Sequence, residues 1–342
     1  MHEYGEKYMK ALVASGHKTV GLKEMPIPTL IEGEMLVAPI YTGICGTDLE
    51  VINGNLDPDF VVYPVTLGHE WVGRVVAHGP DVTNPAIGSR VVVTGVIPCK
   101  KCFECISGAT NLCVYFSEIG FNRPGAAAEL VAVPAFLAHI ILDSVSMETA
   151  VLAEPTAVVM QAFMKATPKV GAKILIIGDG TIGMIAASLA KTFNPEFIHM
   201  LGLKPGQADL AKKAGVDSFM TEPSEDRYDL IFEAAGSAER ITGSIKQLIR
   251  GGTLLLVGYP GFGVMVPLMI DNVVNGNLNI LGSWASTVAS WEKAVSLMNS
   301  GELDLSYLVT HKFSLDQFAI ALETLENAPA PRGKIVLIIG NF

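Results

Sequence analysis

A glycine-rich turn near the middle of the chain constrains the fold more than any other feature of the sequence. The apolar run 173–177 leads into Gly178-Asp179-Gly180-Thr181-Ile182-Gly183, and a helix-like run follows. A GxGxxG pattern that ends a buried strand and opens a helix is typical of dinucleotide-binding βαβ units. Its glycines let the backbone approach a pyrophosphate, and the helix N-terminus offers unpaired N–H groups. The alternative is a tight strand–helix turn without a ligand.

The segments after this turn alternate between strand-like and helix-like runs. Such alternation predicts a parallel sheet with helices on its faces. The further predicted strands cover residues 197–201, 218–221, 229–235, 253–257 and 278–281. The uncharged run 251–270 is long enough to cross a membrane, but it contains five Gly and two Pro. We therefore predict strand, turn and strand in this run, and no membrane partner.

The region before Ser146 has a β character and no evident long amphipathic helix. Short Val- and Ile-rich runs are separated there by Gly, Pro, Asn and Asp. We therefore predict an antiparallel, barrel-like domain that starts near Lys10. Ser146 is the predicted N-cap of an apolar helix that reaches Lys165. A last strand at 334–339 is predicted to return to the first domain.

Length and charge limit the function classes. The 342 residues suffice for two domains with their own cores. A net charge of −10, without any run of basic residues longer than two, argues against nucleic-acid binding. The first ten residues lack the apolar stretch of a signal peptide, so we predict a cytoplasmic protein. Chemistry on a small molecule is the remaining default.

Four of the five cysteines lie close together, as Cys99-x2-Cys102-x2-Cys105-x7-Cys113. In a reducing compartment such clustering favours a metal ion over disulfides. Four thiolates close a tetrahedral zinc site and leave no position for a substrate. We therefore predict a structural zinc lobe over residues 98–113, with disulfides or unrelated thiols as the alternatives.

A second metal site is predicted from Cys45, His69 and Glu70. A thiolate, an imidazole and a carboxylate suit Zn²⁺ with an open coordination position. Glycines on both sides of Cys45 and before His69 are expected where the chain reaches into a crowded cavity. The alternative is a buried free cysteine and a histidine that never meet. Glu154, amid apolar residues, needs a partner if it is buried and is otherwise a solvated helix residue.

The residues after the second predicted strand bear on the choice between NAD(H) and NADP(H). An NAD site usually has a carboxylate about 20 residues past the glycine motif, on the ribose 2′-hydroxyl. No Asp or Glu lies between Glu196 and Asp209, and Lys204 can neutralise part of a 2′-phosphate. The sequence thus favours NADP(H) over NAD(H), with a permissive NAD site as the alternative.

Taken together, these motifs resemble the zinc-containing medium-chain dehydrogenase/reductase family over nearly the whole chain. The matching segments are Gly43-Ile44-Cys45-Gly46-Thr47-Asp48, Gly68-His69-Glu70, the cysteine lobe, Glu154-Pro155 and the glycine turn. The resemblance implies an α/β plus β fold, in which a GroES-like β-barrel catalytic domain (1–153 and 291–342) accompanies a Rossmann domain (154–290). It also implies a homodimer or homotetramer, with the apolar stretch 264–270 near the pairing edge.

The resemblance also implies a ligand set and a cofactor site. Cys45, His69 and Glu70, or Glu154 in place of one of them, are the implied ligands of a catalytic zinc. A Cys-His-Glu set with Glu154 is similar to the polyol, sugar and threonine dehydrogenase branch. Each chain is then expected to bind one catalytic and one structural zinc ion. The predicted cofactor-binding residues are Gly178, Gly180, Thr181, Ile182, Gly183, Gly202, Lys204, Ala235, Gly236, Val257, Gly258 and Arg332.

The implied activity is hydride transfer between NAD(P) and a secondary alcohol of the polyol, sugar or cyclitol type. Thr47 is the implied proton acceptor, passing the proton towards the cofactor ribose or Glu50, while Asp48 orients the His69 ring. Glu50 stands where many polyol and threonine enzymes have histidine, which is similar to the sugar dehydrogenases. The alternatives are a threonine or simple alcohol dehydrogenase and a non-enzymatic, crystallin-like nucleotide-binding protein.

Overall fold

The computed structural model describes residues 7–57, 59–261 and 263–340. The chain divides into two compact units. The first unit contains the residues up to Glu154, Thr287–Ala328 and the residues from Lys334 onward. The second unit contains Pro155–Ser286 and Pro329–Gly333. The sequence placed the end of the Rossmann domain at 290/291, and the structure places it four residues earlier, at 286/287. The short segment Pro329–Gly333, just before the last strand, also belongs to the second unit.

The first part of the first unit is built mainly from strands, because its Val- and Ile-rich runs alternate with turn-forming residues. Its strands are β1 (Tyr8–Gly16), β2 (Thr19–Pro26), β3 (Glu34–Ile44), β4 (Val65–Thr66), β5 (Glu70–His78), β6 (Arg90–Val93), β7 (Val96–Ile97), β8 (Ser117–Glu118), β9 (Val131–Pro134) and β10 (Ala138–Ile140). Its helices are α1 (Gly46–Asn53), α2 (Phe103–Ile106) and α3 (Met147–Ala150). The prediction of a β domain in this region is confirmed.

Helix α1 begins directly after Cys45, in a part of the sequence where no long amphipathic helix was evident. Cys45 is the N-cap of this helix, and Gly54 ends it in the left-handed conformation with φ of +75°. The helix has only eight residues and a weak apolar face, so its sequence carries little periodic signal. As a result, Cys45 and Asp48 are fixed by a helical first turn.

The second unit contains a parallel sheet with helices between its strands, as the glycine turn and the alternating pattern predicted. Its elements are α4 (Ala153–Lys165), β11 (Lys173–Ile177), α5 (Thr181–Ala190), β12 (Phe197–Leu201), α6 (Ala208–Lys213), β13 (Ser218–Met220), β14 (Tyr228–Glu233), α7 (Ala238–Ser244), β15 (Leu248–Leu256), α8 (Ile270–Gly276) and β16 (Asn279–Gly282). The strand order is β13-β12-β11-β14-β15-β16, and every recorded pairing is parallel.

Two sequence-based expectations for these helices and strands are wrong. The helix predicted from Ser146 to Lys165 is interrupted between α3 and α4, although Ser146 does cap α3 by accepting a hydrogen bond from the Thr149 nitrogen. The run 251–270 was predicted to hold two strands, but after β15 its described residues form no second strand, and α8 starts at Ile270. Within the described ranges, no helix combines the length and the apolar character needed to cross a membrane.

The chain then returns to the first unit, where its last strand completes the main sheet. The returning elements are α9 (Val288–Ser300), β17 (Val309–Ser314), α10 (Phe318–Asn327) and β18 (Lys334–Ile338). The main sheet has the order β10-β6-β5-β3-β18-β17, with β9 also paired to β3, while β2-β1-β4 and β7-β8 form smaller sheets. Strand β18 runs antiparallel to β3 and pairs Ile335 with Ile44. The predicted return of the last strand is confirmed, and it brings Lys334 beside the end of β3.

Substitution of Gly183 by alanine tests how closely α5 approaches the glycine turn. A Cβ at Gly183 would lie 1.9 Å from the carbonyl oxygen of Gly178, a conflict between two backbone segments. We expect Gly183→Ala to lower the free energy of unfolding by more than about 2 kcal/mol, measured by urea denaturation. Gly243→Ala in α7 is the matched control, because no atom lies within 4 Å of a Cβ there. Equal stability of the two variants would contradict the expected clash.

Candidate active site

Three potential metal ligands converge in the first unit. The ligand atoms of Cys45, His69 and Glu70 lie within 4.8 Å of one another. Cys45 stands between β3 and α1, and Glu70 opens β5. Gly68 has a φ of +99°, and a Cβ there would lie 2.5 Å from the backbone nitrogen of Ala127. Only glycine fits this close approach, so Gly68 allows the chain to place the two following side chains in the cluster.

Asp48 lies beside the imidazole ring of His69. Its Oδ1 atom lies 3.4 Å from Nδ1 of the ring, and its Oδ2 atom accepts a hydrogen bond from the backbone nitrogen of Cys45 at 2.8 Å. The other ring nitrogen, Nε2, lies 3.9 Å from Oε1 of Glu70. Burial lowers the pKa of His69, but the Asp48 carboxylate and the Cys45 thiol together raise that pKa well above its usual value. Asp48 therefore contacts the cluster through the His69 ring and the backbone of Cys45.

A buried lysine balances the charge of the same cluster. Nζ of Lys334 lies 2.5 Å from Oε2 of Glu70 and 3.4 Å from the carbonyl oxygen of Ile44. The side chains of the ion pair are only 4% and 2% exposed. Burial opposes the charged amine, but the Glu70 carboxylate raises the pKa of Lys334 above its ordinary value. The sequence analysis missed Lys334 as a site residue, because only the pairing of β18 with β3 joins these distant segments.

Two further carboxyl groups lie near the cluster without joining its compact ligand group. Burial, followed by the negative charge of Glu70, raises the pKa of Glu154 to about 8. Burial also raises the pKa of Glu118 to about 7, although His69 opposes this shift. Glu154 was predicted as a possible fourth ligand, and its atoms fall outside the 4.8 Å group. Glu118 was not predicted as a site residue, because its place depends on the pairing of β8 with β7.

Thr47 and Glu50, both predicted to take part in proton transfer, have different surroundings. Oγ1 of Thr47 lies 3.6 Å from Sγ of Cys45, next to the cluster. Glu50 is exposed, and its Oε2 accepts a hydrogen bond from Nδ2 of Asn55 at 2.9 Å. The structure therefore brings Thr47 to the site and leaves Glu50 at the surface. These contacts give no support to a proton path through Glu50.

The chemistry of the convergent set fits a divalent zinc ion. A thiolate and a carboxylate together neutralise the charge of Zn²⁺, and a neutral imidazole is a third donor that zinc accepts. Because Lys334 contacts Oε2 of Glu70, the other oxygen of this carboxylate faces His69 and is free to act as the ligand. Three protein ligands leave one position of a tetrahedral ion open, as in catalytic zinc sites.

The cysteine lobe offers a second, closed donor set. Cys99, Cys102, Cys105 and Cys113 are free thiols whose sulfur atoms lie within 4.8 Å of one another. The sulfur atoms of Cys99 and Cys105 are 3.9 Å apart, much longer than a disulfide bond of about 2.05 Å. The backbone N–H of Lys101 lowers the pKa of Cys99 to about 6, which favours its thiolate. The set fits one zinc ion with no position for a substrate.

The glycine turn of the second unit lies where a parallel sheet changes direction. Strand β11 has β12 on one side and β14 on the other, so the turn that follows it is at the topological switch point. Gly178 has a φ of +114°, and a Cβ there would lie 3.0 Å from the nitrogen of Ala235. Thr181 and Ile182 begin α5, whose first backbone N–H groups have no partner within the helix. This turn fits the pyrophosphate of a dinucleotide.

A buried carboxylate that the sequence analysis missed holds the neighbouring predicted residues together. Glu233 ends β14 with its side chain fully buried, and its carboxylate accepts hydrogen bonds from the nitrogens of Ala235 at 3.1 Å and Gly236 at 3.2 Å. Its carbonyl oxygen accepts from the nitrogens of Val257 at 2.9 Å and Gly258 at 3.0 Å. Burial raises the pKa of the Glu233 carboxyl group, although the N–H groups of Ala235 and Gly236 favour its charged form. The acidic residue at the end of a buried apolar strand was the available sequence signal.

Arg332 is tied to the glycine turn through Gln207. The Nε2 atom of Gln207 donates to the carbonyl oxygens of Asp179 at 2.8 Å and Arg332 at 2.9 Å, and its Oε1 accepts from the Arg332 nitrogen at 2.8 Å. Gly202 and Lys204 follow the end of β12, with Lys204 exposed. The structure therefore gathers the predicted cofactor-binding residues around the carboxyl ends of β11, β12, β14 and β15.

Comparison with known proteins identifies the family. The sequence matches the alcohol dehydrogenase GroES-like domain over residues 31–142 and the glucose dehydrogenase C-terminus over residues 147–328. An L-threonine 3-dehydrogenase from Alteromonas mediterranea is 31% identical over 96% of this chain and 99% of its own length. The chain belongs to the zinc-containing medium-chain dehydrogenase/reductase family. As a member of it, the protein is an NAD(P)-dependent alcohol or polyol dehydrogenase.

Solved structures agree with this assignment to the medium-chain family. A protein described as a zinc-binding dehydrogenase from Sinorhizobium meliloti, bound to NADP, is 26% identical, with a TM-score of 0.89 over 98% of this chain and 100% of that one. Galactitol-1-phosphate dehydrogenase from Escherichia coli is also 26% identical, with a TM-score of 0.87 over 97% of this chain and 100% of that one. The predicted combination of a GroES-like domain with a Rossmann domain is confirmed.

Removal of the buried lysine tests how strongly the cluster depends on its ion pair. Lys334→Met leaves the Glu70 carboxylate buried without its cation, and we expect a loss of about 3 kcal/mol or more in the free energy of unfolding of metal-free protein. Lys10→Met is the matched control, because its ion pair with Asp316 is exposed and contributes little. Thermal and urea unfolding of both variants measure the difference. Similar unfolding curves for the two variants would show that Lys334 does not balance Glu70.

Proposed function

We propose that this medium-chain dehydrogenase oxidises a secondary alcohol of the polyol, sugar or cyclitol type, with NAD(P) as the hydride acceptor, and reduces the ketone in reverse. The convergence of Cys45, His69 and Glu70 within 4.8 Å is the observation that carries the proposal. Zinc supplies Lewis acidity that lowers the pKa of an alcohol hydroxyl, and the nicotinamide supplies the hydride acceptor. The cysteine lobe holds a second zinc ion in a purely structural role.

The residues around the cluster have different roles in metal binding and proton transfer. Thr47 lies beside Cys45 and relays the proton of the substrate hydroxyl, because Oγ1 accepts this proton while the threonine hydroxyl releases its own proton outward. Asp48 holds the His69 ring in its orientation, and Lys334 restrains Oε2 of Glu70. Glu154 would exchange with water or substrate instead of remaining a ligand, since its raised pKa favours the neutral carboxyl group, which is a weaker metal ligand. Its position outside the compact ligand group supports this role.

The charges near the cluster favour an uncharged polyhydroxyl substrate. Burial raises the pKa values of Glu118 and Glu154, so a negative charge is disfavoured beside the cluster, and a substrate that carries a carboxylate or a phosphate is disfavoured for the same reason. Arg123, the cation in the loop that follows β8, already forms an ion pair with Glu34 at 2.9 Å. It is therefore not a free partner for an anionic substrate group.

A second candidate substrate is L-threonine, which is also a secondary alcohol. The similarity to L-threonine 3-dehydrogenase over nearly the whole chain favours it. The carboxyl groups of Glu118 and Glu154 can pair with its amino group, whereas its carboxylate needs a cation such as the amine of Lys334. Lys334 is already paired with Glu70, so we place threonine behind the polyols.

The remaining parts of the proposal concern cofactor choice, assembly and location. NADP(H) was favoured by the sequence, but the structure places the Asp179 carboxylate at the end of β12, and this contact weighs against that preference. We propose a homodimer or homotetramer, supported by the exposed apolar residues Met265, Met269 and Ile270 near the edge strand β16. We further propose a cytoplasmic location, in keeping with the free thiols of the cysteine lobe.

Metal analysis of two cysteine variants tests the assignment of the zinc sites. Cys45→Ser should lose one zinc ion and turnover while its thermal unfolding changes little, because its ligand set is not a closed structural site. Cys102→Ser should lose the other ion and unfold at a lower temperature, because closed zinc sites contribute to folding. Mass spectrometry for zinc, together with calorimetry, measures both effects. Full activity in Cys45→Ser would end the proposed catalytic role of this site.

A substrate panel tests the proposed reaction. Polyols, aldoses, aminocyclitols, L-threonine and simple alcohols are each offered with NAD⁺ and with NADP⁺, and reduction of the nicotinamide is followed by absorbance. We expect the highest kcat/KM with an uncharged polyol, sugar or cyclitol. A higher value for L-threonine would select the second candidate. Absence of turnover with every alcohol in zinc-loaded protein would favour the non-enzymatic alternative.

A further inference from the structure

A carboxylate from the glycine turn reaches the end of the neighbouring strand. Asp179 is the second residue of the turn after β11, and its Oδ2 accepts hydrogen bonds from the backbone nitrogens of Leu203 and Lys204, both at 3.0 Å. These two residues lie just after β12. Among the described residues, the recorded donors to this carboxylate all bind Oδ2, so Oδ1 is left to accept a hydrogen bond from a hydroxyl group.

The surrounding residues hold Asp179 in this place. A Cβ on Gly202 would lie 2.7 Å from both Cβ and Oδ2 of Asp179, so the side chain of Asp179 packs directly on the bare backbone of Gly202. Gln207 donates a hydrogen bond to the carbonyl oxygen of Asp179 at 2.8 Å, which fixes its backbone. The Asp179 carboxylate therefore fits in this place because residue 202 has no side chain.

Dinucleotide-binding domains distinguish NAD from NADP at the carboxyl end of the second strand of their sheet, which is β12 in this chain. The usual carboxylate there comes from the strand itself, about 20 residues past the glycine motif, and accepts hydrogen bonds from the adenosine ribose. This chain has no acidic residue between Glu196 and Asp209. We propose that Asp179 supplies the missing carboxylate from the glycine turn and thereby makes the enzyme prefer NAD(H) to NADP(H). This inference rests on the proposed function as an NAD(P)-dependent dehydrogenase.

Charge and hydrogen bonding both act against a 2′-phosphate at this place. The phosphate would need the backbone N–H groups of Leu203 and Lys204, which the Asp179 carboxylate already occupies. It would also meet a like charge, and the exposed amine of Lys204 offsets only one negative charge. A ribose 2′-hydroxyl needs neither N–H group and gains an acceptor. The proposal thus departs from the preference drawn from the sequence, which counted carboxylates only along the chain after the turn.

The test compares two nucleotides that differ only in the 2′-phosphate and do not require the metal site or turnover. ADP-ribose and 2′-phospho-ADP-ribose are titrated into the full-length protein by calorimetry. Wild type should bind ADP-ribose at least about tenfold more tightly. Asp179→Asn keeps an oxygen for the Leu203 and Lys204 nitrogens but removes the charge, and it should bring the two affinities within about threefold, mainly by tighter binding of the phosphorylated ligand.

Glu196→Gln is the matched control for charge. Glu196 precedes the amino end of β12, about 15 Å from its carboxyl end, so the same loss of charge there should leave the wild-type ratio unchanged. Equal or tighter binding of 2′-phospho-ADP-ribose by wild type would overturn the inference and leave the proposed dehydrogenase intact. An equal change in both affinities in Asp179→Asn would also overturn it. Failure of wild type to bind either nucleotide would reject the inference together with NAD(P) dependence.

Discussion

The buried contact between Lys334 and Glu70 is the constraint on which the rest of the site depends. A carboxylate that is almost fully buried needs a compensating charge, and the chain provides it from its last strand. Because β18 pairs with β3, the amine arrives beside the residues that precede Cys45. The main sheet forms part of the core of the first unit. It also brings the Lys334 amine to the half-buried Cys45 thiol and the buried His69 and Glu70 side chains, which stabilises these groups in one place.

The balance of charges also explains the roles assigned to the neighbouring acids. Cys45 and Glu70 match the charge of a zinc ion, and the amine of Lys334, which is paired with Glu70, also acts to lower the pKa of Glu154. Burial raises the pKa values of Glu118 and Glu154 to about 7 and about 8, so both favour their neutral forms more than an exposed glutamate does. A site of this kind tolerates hydroxyl groups better than additional anions, which is the physical basis for a polyol over an acid as substrate.

Short sequence motifs predicted those parts of the structure that are formed within one stretch of the chain. The glycine turn and the four-cysteine lobe could be found because each depends on a short spacing, and the structure gathers both as expected. What could not be predicted depends on contacts between distant segments: Lys334 with Glu70 through a strand pairing, and Asp179 with the end of β12 across a turn. Helix α1 was missed because eight residues with a weak apolar face carry little periodicity. The second strand expected in 251–270 was wrong because apolar composition was taken as strand without a pairing partner.

The central claim is that Cys45, His69 and Glu70 meet at one divalent ion while the cysteine lobe holds another. Anomalous scattering at the zinc absorption edge, from crystals of protein purified without chelators, tests it most directly because it locates each ion without any assumption about activity. The account predicts two peaks per chain, one enclosed by the four cysteines and one in contact with Cys45, His69 and Glu70. A single peak at the cysteine lobe, in protein supplied with excess zinc, would contradict it.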